Sequence, residues 1–330
     1  MSVTKSPNDI ASIKVEQFLE RNGIDQSEWK DSGCDWEELQ RIAADHRAHF
    51  GTLNDAAEFF GKTIQRFGGV HSVRWRVKDV EHLLKKIIRK CVAEKEQEDG
   101  KYKCVTVDNY FETITDLIGV RALHLFKEDY RGIHRELLST WTPLEGEQTA
   151  YVRGGEEQSE FAAGLQQAGF VVKAHGAGYR SLHYVFEIKP TLRAIRAEVQ
   201  VRTIFEEGWS EIDHTIRYPD FNDNPMVLYC LQILNRMAGS ADEMGGFVRG
   251  LTQMLDKQAA EFATAIEERD DARAKREDAL EKVSESIRQM AELKESNSEF
   301  RALAETFQRQ VQVLQEREAA ASAISPFQIS

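Results

Sequence analysis

Cysteine and proline are scarce in this chain of 330 residues, with four of the one and six of the other. Cys34, Cys91, Cys104 and Cys230 are scattered and form no CxxC pair. That pattern excludes a zinc ribbon or a disulfide framework and points to a reducing compartment. No apolar run is long enough to span a bilayer. The first residues, MSVTKSPNDIASIKVEQF, lack the basic start and continuous apolar stretch of a signal peptide. Together these absences give the expectation of a cytoplasmic protein with no membrane partner. Positive charge is also in deficit: 43 Lys and Arg against 55 Asp and Glu leave a net charge of −12. Such a chain is poorly suited to coating nucleic acid non-specifically, an affinity that comes from cations meeting phosphates. What remains is 41% hydrophobic and 30% charged residues, enough for one substantial domain with additions or two modest ones.

Three regions emerge along the chain. Residues 1–72 read as helical, because IKVEQFLERNGI and WEELQRIAADHRAHFGTLNDAAEFFGKTIQRF carry apolar residues at helical spacing. Residues 73–222 hold a basic segment, RWRVKDVEHLLKKIIRK, and then the strand candidates GVRALHLF, VVKAH, RSLHYVFEIK and RAEVQVRT. The last of these runs directly into helix-like FEEGWSEIDHTI. Residues 223–330 are rich in Ala, Glu, Gln, Arg and Leu, with neither Gly nor Pro from Leu251 to Ser325. That composition describes long helix. Leu280, Val283, Ile287 and Met290 form one apolar stripe, and Phe300, Leu303, Phe307, Val311 and Leu314 another, out of phase across KESNSE. The phase break predicts a stutter or a hairpin near Asn297. A helical stalk on its own domain and a coiled coil joining copies of the chain both fit.

Four pieces carry chemistry. On a pleated RAEVQVRT strand, Glu198, Gln200 and Arg202 share one face and Ala197, Val199 and Val201 the other. A carboxylate, an amide and a guanidinium in file look like a site. An amphipathic edge strand with a solvated outer face has the same pattern, and the strand alone favours that reading. Asp116 precedes a strand-like run that contains Gly119 and Arg121. A cap or turn role suits it in isolation, while Asp116 and Glu198 together would offer two hard oxygen ligands for Mg²⁺ on substrate phosphates. In GAGYRSLHYVFEI, small residues permit a tight turn or a near ligand, and Tyr179 offers a flat face for a base or a strand-start core ring. Finally, VKDVEHLLKKIIRK places Val80, Leu83, Leu84, Ile87, Ile88 and Cys91 on one helical face, with Lys78, His82, Lys85, Lys86 and Arg89 largely opposite. A cationic stripe on an acidic protein suggests phosphate binding, though solvated faces look similar.

Their order adds what no single piece provides. RVK, DLIGVR, GYRSLH and EVQVRT with a following GWSEIDH resemble the motif series of RelA/SpoT synthetase domains, from about Arg76 to Tyr218. The resemblance implies an α+β fold, a mixed β-sheet flanked by helices and related to nucleotidyltransferases, here with the long α-helical C-terminal extension. It implies transfer of the β,γ-pyrophosphate of ATP to the 3′-hydroxyl of GDP or GTP, giving (p)ppGpp and AMP, with Mg²⁺ as cofactor. By the same likeness, Asp116 and Glu198 match the metal-binding carboxylates, and Glu198 also matches a group that helps to deprotonate the attacking hydroxyl. Arg76 and Arg121 match arginines that sandwich the adenine of ATP. Lys78, Lys86 and Arg89 match cations around the donor phosphates. Tyr179 matches the aromatic that stacks on the acceptor base. Arg180, His183, Gln200 and Arg202 lie in the motif cores on the acceptor side.

The chain departs from the pattern at GFVVKAHGAGYRS. Gly169 and Phe170 stand where small alarmone synthetases carry Asp-Tyr, and His175 stands at the lysine position, with Lys173 two residues away. The link WTPLEGEQTAYVRGGEEQSEFAAGLQQ is longer than usual. Both changes touch the acceptor side, so a relative that modifies the 3′ end of tRNA, or adenine nucleotides, is the alternative. No His-Asp dipeptide occurs, so synthesis without hydrolysis is expected. A catalytically retired scaffold protein is a third reading, against which stand the intact Asp116, Tyr179 and Glu198.

Overall fold

The structure, a computed structural model, describes residues 13–97, 100–217, 224–293 and 298–323. Four helices lead: α1 (Val15–Asn22), α2 (Gln26–Ser32), α3 (Trp36–Ala48) and α4 (Phe50–Ile64). Asp25 and Asp35 cap α2 and α3 by accepting backbone N–H groups, the role short acidic side chains take at helix starts. Strand β1 (Val70–Val77) follows, then α5 (Val80–Ala93), capped by Asp79, and the short α6 (Tyr110–Thr113). Strand β2 (Ile118–His124) leads through a 3₁₀ turn to α7 (Tyr130–Thr140). The long link carries β3 (Thr149–Val152) and α8 (Glu160–Gln167), two elements the sequence reading had not separated. Strands β4 (Val171–Ala174), β5 (Ser181–Ile188) and β6 (Ile195–Thr203) run into α9 (Ile204–Arg217). Helices α10 (Pro225–Leu293, 69 residues) and α11 (Ser298–Ala323) complete the described chain.

The six strands form one mixed sheet in the order β1-β2-β6-β5-β3-β4. Strand β6 lies at its centre, parallel to β2 and antiparallel to β5. This corrects the edge-strand reading of RAEVQVRT. Its alternation marks two differently covered faces of a central strand, neither of which is open edge. Ala197, Val199 and Val201 lie on the apolar face with Val120, Ala122, Tyr184 and Phe186, all buried. Phe60 of α4 packs there against Trp141, with ring centroids 4.7 Å apart, and beside Phe186. Helices α1, α3, α4 and α5 contribute Phe18, Ile42, Leu53, Leu84 and Ile88 to the same core. The N-terminal helices and the sheet therefore share one interior, and the expected boundary after residue 72 falls inside β1.

The chain divides into two units, Met1–Val248 and Arg249–Ser330. The first unit thus includes the early turns of α10, beyond the boundary expected after residue 222, a position that lies with 218–223 outside the described residues. The hairpin expected near Asn297 falls outside them as well. In the second unit Leu303, Phe307 and Leu314 are exposed, whereas Val311 is buried. All four cysteines are free thiols. Among the described residues no helix is long and apolar enough to cross a membrane.

Because Phe60 is fully buried and meets two further rings, Phe60→Ala should lower the unfolding free energy by about 3–5 kcal/mol. Urea denaturation should show this as a lower midpoint at unchanged slope.

Candidate active site

The polar face of the sheet is assembled by strand register. Arg76 of β1 lies opposite Gly119 of β2, which in turn lies beside Glu198 of β6. One row along, Arg74 faces Arg121, which neighbours Gln200, and Gln200 pairs with His183 of β5. Arg76, Asp116, Gly119, Arg121, Glu198 and Gln200 consequently line one cleft. Gly119 leaves the floor between Arg76 and Glu198 without a side chain; a Cβ there would sit 3.7 Å from the Arg76 side chain.

Asp116 stands two residues before β2. Its Oδ2 accepts from Lys78 Nζ at 2.7 Å, and its Oδ1 meets Lys86 Nζ at 2.8 Å. Burial alone would raise the pKa of this carboxyl, but the two ammonium groups outweigh it and hold the pKa below the ordinary value. Lys78 is placed by the backbone around it. Its N–H donates to Leu117 O at 2.8 Å, and buried His46 of α3 hydrogen-bonds its carbonyl at 2.8 Å. With the His46 pKa lowered, chiefly by burial, the ring is neutral and donates from Nε2.

Both oxygens of Glu198 are also occupied. His183 Nδ1 lies 2.9 Å from Oε1, and Gln200 Nε2 donates to Oε2 at 2.9 Å. Ser181 Oγ is 2.7 Å from His183 Nε2. An ionised Glu198 accepts from His183 Nδ1–H, and Ser181 Oγ holds the other ring nitrogen in place. Burial pushes the Glu198 pKa up, but the bonds from His183 and Gln200 bring it below its usual value. A hard divalent cation fits this donor set, since two ionised carboxylates line one cleft. Among the described residues no cluster of three or more His, Cys, Asp and Glu forms a ready cage. The remaining positions of Mg²⁺ would fall to substrate phosphates and water.

A groove of about 690 Å³ carries Arg76, Lys78, Lys85, Lys86, Arg89 and Lys90, with His82 and His214 and a single acidic residue, Asp79. Arg76 belongs to both the cleft and the groove. Lys85 is buried, which corrects its assignment to the solvent face of α5. It follows Leu83 and Leu84 on the inner side of the helix. Arg121 is held by Glu207, at 2.8 Å, and by Glu211, both from α9.

The residues expected on the acceptor side separate. Arg202 is buried, bonded to Gln200 and to Ser210 at 3.0 Å, and close to Glu207. It braces the file and is not open to a ligand. Arg180 is turned away from the cleft: Glu156 takes its guanidinium, and it lines a separate small cavity with Thr203 and Asp242. Tyr179 bonds Asp213 through its hydroxyl, and its ring lies 4.5 Å from His175 and 5.6 Å from Trp209. The His175 pKa is lowered, chiefly by burial, so at neutral pH it offers a ring and not a cation. Tyr151 of β3 adds a ring edge 5.3 Å from His175. Phe170, at the other departure from the family pattern, is a core residue against His134 and Tyr184.

Residues the sequence reading did not single out include His46, Glu156, Ser181, Glu207 and Glu211. Each acts by holding another site residue, and only a spatial pairing reveals that. Glu207 and Glu211 carried one weak signal, their four-residue spacing on a helix directly after the charged strand.

Residues 75–223 match the model of the region found in RelA / SpoT proteins. Among curated proteins, the chain is 25% identical over 163 residues to the GTP pyrophosphokinase YwaC of Bacillus subtilis, covering 48% of this chain and 63% of that protein. It is 25% identical over 208 residues to the GTP pyrophosphokinase YjbM of the same organism, covering 60% of this chain and 82% of the relative. The chain thus spans just under two thirds of the first of these. Among solved structures, it is 22% identical to the small alarmone synthetase 1 of B. subtilis, over 65% of this chain and 97% of that one, with a TM-score of 0.41. For the same synthetase bound to its product pppGpp the identity is 21%, with the same coverage and TM-score.

Replacing Asp116 by Asn should cost about 3 kcal/mol of stability at pH 7, since Lys78 and Lys86 lose their partly buried counter-charge. A carboxyl with a depressed folded pKa contributes stability above its ordinary value of 3.8 and loses it as the pH falls through the folded value. The gap between wild type and Asp116→Asn in urea unfolding should therefore be full at pH 7 and shrink below about pH 3.8.

Proposed function

Because residues 75–223 match the model of the region found in RelA / SpoT proteins, we propose that the chain carries a synthetase domain of that type and is an ATP-dependent pyrophosphokinase that builds (p)ppGpp. In this reading it transfers the β,γ-pyrophosphate of ATP to the 3′-hydroxyl of GDP or GTP and releases AMP. The observation that carries it is the joining of the Asp116/Glu198 cleft to the cationic groove through Arg76. An adenine fits against Arg76 and Arg121; the planar Arg121 guanidinium can stack while its edge stays bonded to Glu207 and Glu211. The triphosphate then runs along the groove to Lys78, Lys86 and Arg89. Residues 73–222 carry the chemistry, 1–72 complete its core, and 223–330 supply the helical extension, whose exposed Leu303 and Phe307 suit an oligomerisation role.

Phosphoryl chemistry of this kind rests on positioning and on cations held in place beforehand. Asp116 and Glu198 would hold Mg²⁺, which would supply charge opposite the donor phosphates. Glu198 retains lone pairs beyond the two taken by His183 and Gln200, so it can also accept the proton of the attacking hydroxyl. Its lowered pKa keeps it ionised at neutral pH, so a lone pair is free of a proton. His183 and Gln200 aim the carboxylate, and Arg202 steadies Gln200. Tyr179 presents the ring on which the acceptor base stacks.

A second reading rests on His175. A neutral ring in place of a lysine removes one positive charge from the acceptor side, and the six cations of the groove could hold a polynucleotide backbone. ATP labelled on its γ-phosphate, offered with Mg²⁺ to GDP, GTP, ADP, ATP and bulk tRNA in turn, separates the two. Label in a guanosine product with AMP released is the expected result. Label only in tRNA or an adenosine product keeps the metal site and moves the acceptor. With the acceptor that works, Asp116→Ala should abolish turnover while circular dichroism shows a folded protein. Activity retained in that variant removes the metal assignment.

A further inference from the structure

Tyr179 sits on a short loop, Gly176-Ala177-Gly178, and that loop is held by a residue outside the matched segment. Asn235, on the fourth turn of the first unit's share of α10, is buried. Its Nδ2 donates to Ala177 O at 3.2 Å and to Gly178 O at 3.1 Å. Both partners are carbonyls, so only the nitrogen of the amide can face them. The approach is close: Gly178 has φ +79°, and a Cβ there would lie 2.7 Å from Asn235 Nδ2. Glycine is the residue that meets both demands.

Asn235 is itself anchored. Its backbone carbonyl accepts from Arg153 Nη2 at 2.8 Å, and the same nitrogen pairs with buried Glu206 at 2.7 Å. Leu231 and Ala238, a turn to either side, are buried with Trp209, and Tyr179 and Leu234 pack on that cluster. The ring is thus mounted at two ends, with its hydroxyl on Asp213 of α9 and its loop carbonyls on Asn235 of α10.

We propose that Asn235 is a positioning residue for the acceptor, fixing the loop that presents Tyr179, so that the acceptor site is completed by α10. The inference rests on the reading of Tyr179 as the acceptor-base platform. The donor groove lies mainly on α5 and the end of β1; its one α9 residue, His214, adjoins Asp213, but neither Asn235 nor the loop it holds lines the groove. Loss of Asn235 therefore acts on one substrate and not on the other. In Asn235→Asp the side chain keeps its size but turns a carboxylate on two carbonyls; in Asn235→Ala both carbonyls lose their donor.

Steady-state kinetics with GDP and ATP varied separately test this, alongside thermal unfolding. Asn235→Asp and Asn235→Ala should raise KM for GDP about ten-fold or more, leave KM for ATP within about two-fold, and be partly rescued by Asn235→Gln. Gly178→Ala, which pushes the loop from the other side, should show the same split, and it keeps the test open if an Asn235 variant fails to fold. An unchanged KM for GDP, or KM values for both substrates rising together with a loss of thermal stability, would overturn the proposal. Tyr179→Ala is the control. If it leaves KM for GDP unaltered, the platform reading itself fails; if it raises that KM while the Asn235 variants do not, only the role of Asn235 falls.

Discussion

The parallel pairing of β2 with β6 is the constraint from which the cleft follows. Parallel neighbours need a long crossover, and here it consists of α7, β3, α8, β4 and β5, which occupy one half of the sheet. The pairing sets Gly119 beside Glu198 and Arg121 beside Gln200. A shift of one residue would turn Glu198, Gln200 and Arg202 into the apolar layer and Val199 and Val201 into the cleft. The buried Val120, Ala122, Val199 and Val201 resist that slip, so the hydrophobic face holds the polar face in register.

On that floor the charges are arranged in interlocked groups. Lys78 and Lys86 share Asp116; Arg74, Arg121 and Arg202 converge on Glu207; His183 and Gln200 share Glu198. Isolated buried charges are costly, and each of these has a counter-charge or a hydrogen-bond partner. The acidic composition supplies those partners. The −12 of the whole chain coexists with a groove of six cations because the excess carboxylates lie elsewhere, including along the charged faces of α10 and α11. Net charge therefore says little about what the groove attracts.

Much of the fold was legible before any coordinates. The alternation of RAEVQVRT, the helical period of VEHLLKKIIRKC and the uninterrupted helix formers after Leu251 all correspond to elements of the expected type. Failures have physical causes. β6 was readable as an edge strand because alternation reports only that two faces differ, and a polar face lining a cleft has the same pattern as one facing water. Lys85 lies on the inner side of α5 although its charge suits the outer one, because a lysine stem can lie along apolar surface. Strand β3 was missed because TAYV is too short to show a period.

The linear sequence by itself determined which chemical groups exist and which of them share a strand or helix face, since 2.0 and 3.6 residue periods follow from backbone geometry alone. It placed Glu198, Gln200 and Arg202 in one file, and Lys78, Lys86 and Arg89 along one basic stretch. Only the tertiary structure decided that Asp116 meets two of those lysines, that Arg202 is a brace, that Arg180 faces Glu156, and that α10 reaches the loop of Tyr179. These are pairings across long sequence separations. They are set by which elements the buried core brings together, and a residue's neighbours along the chain carry no trace of them.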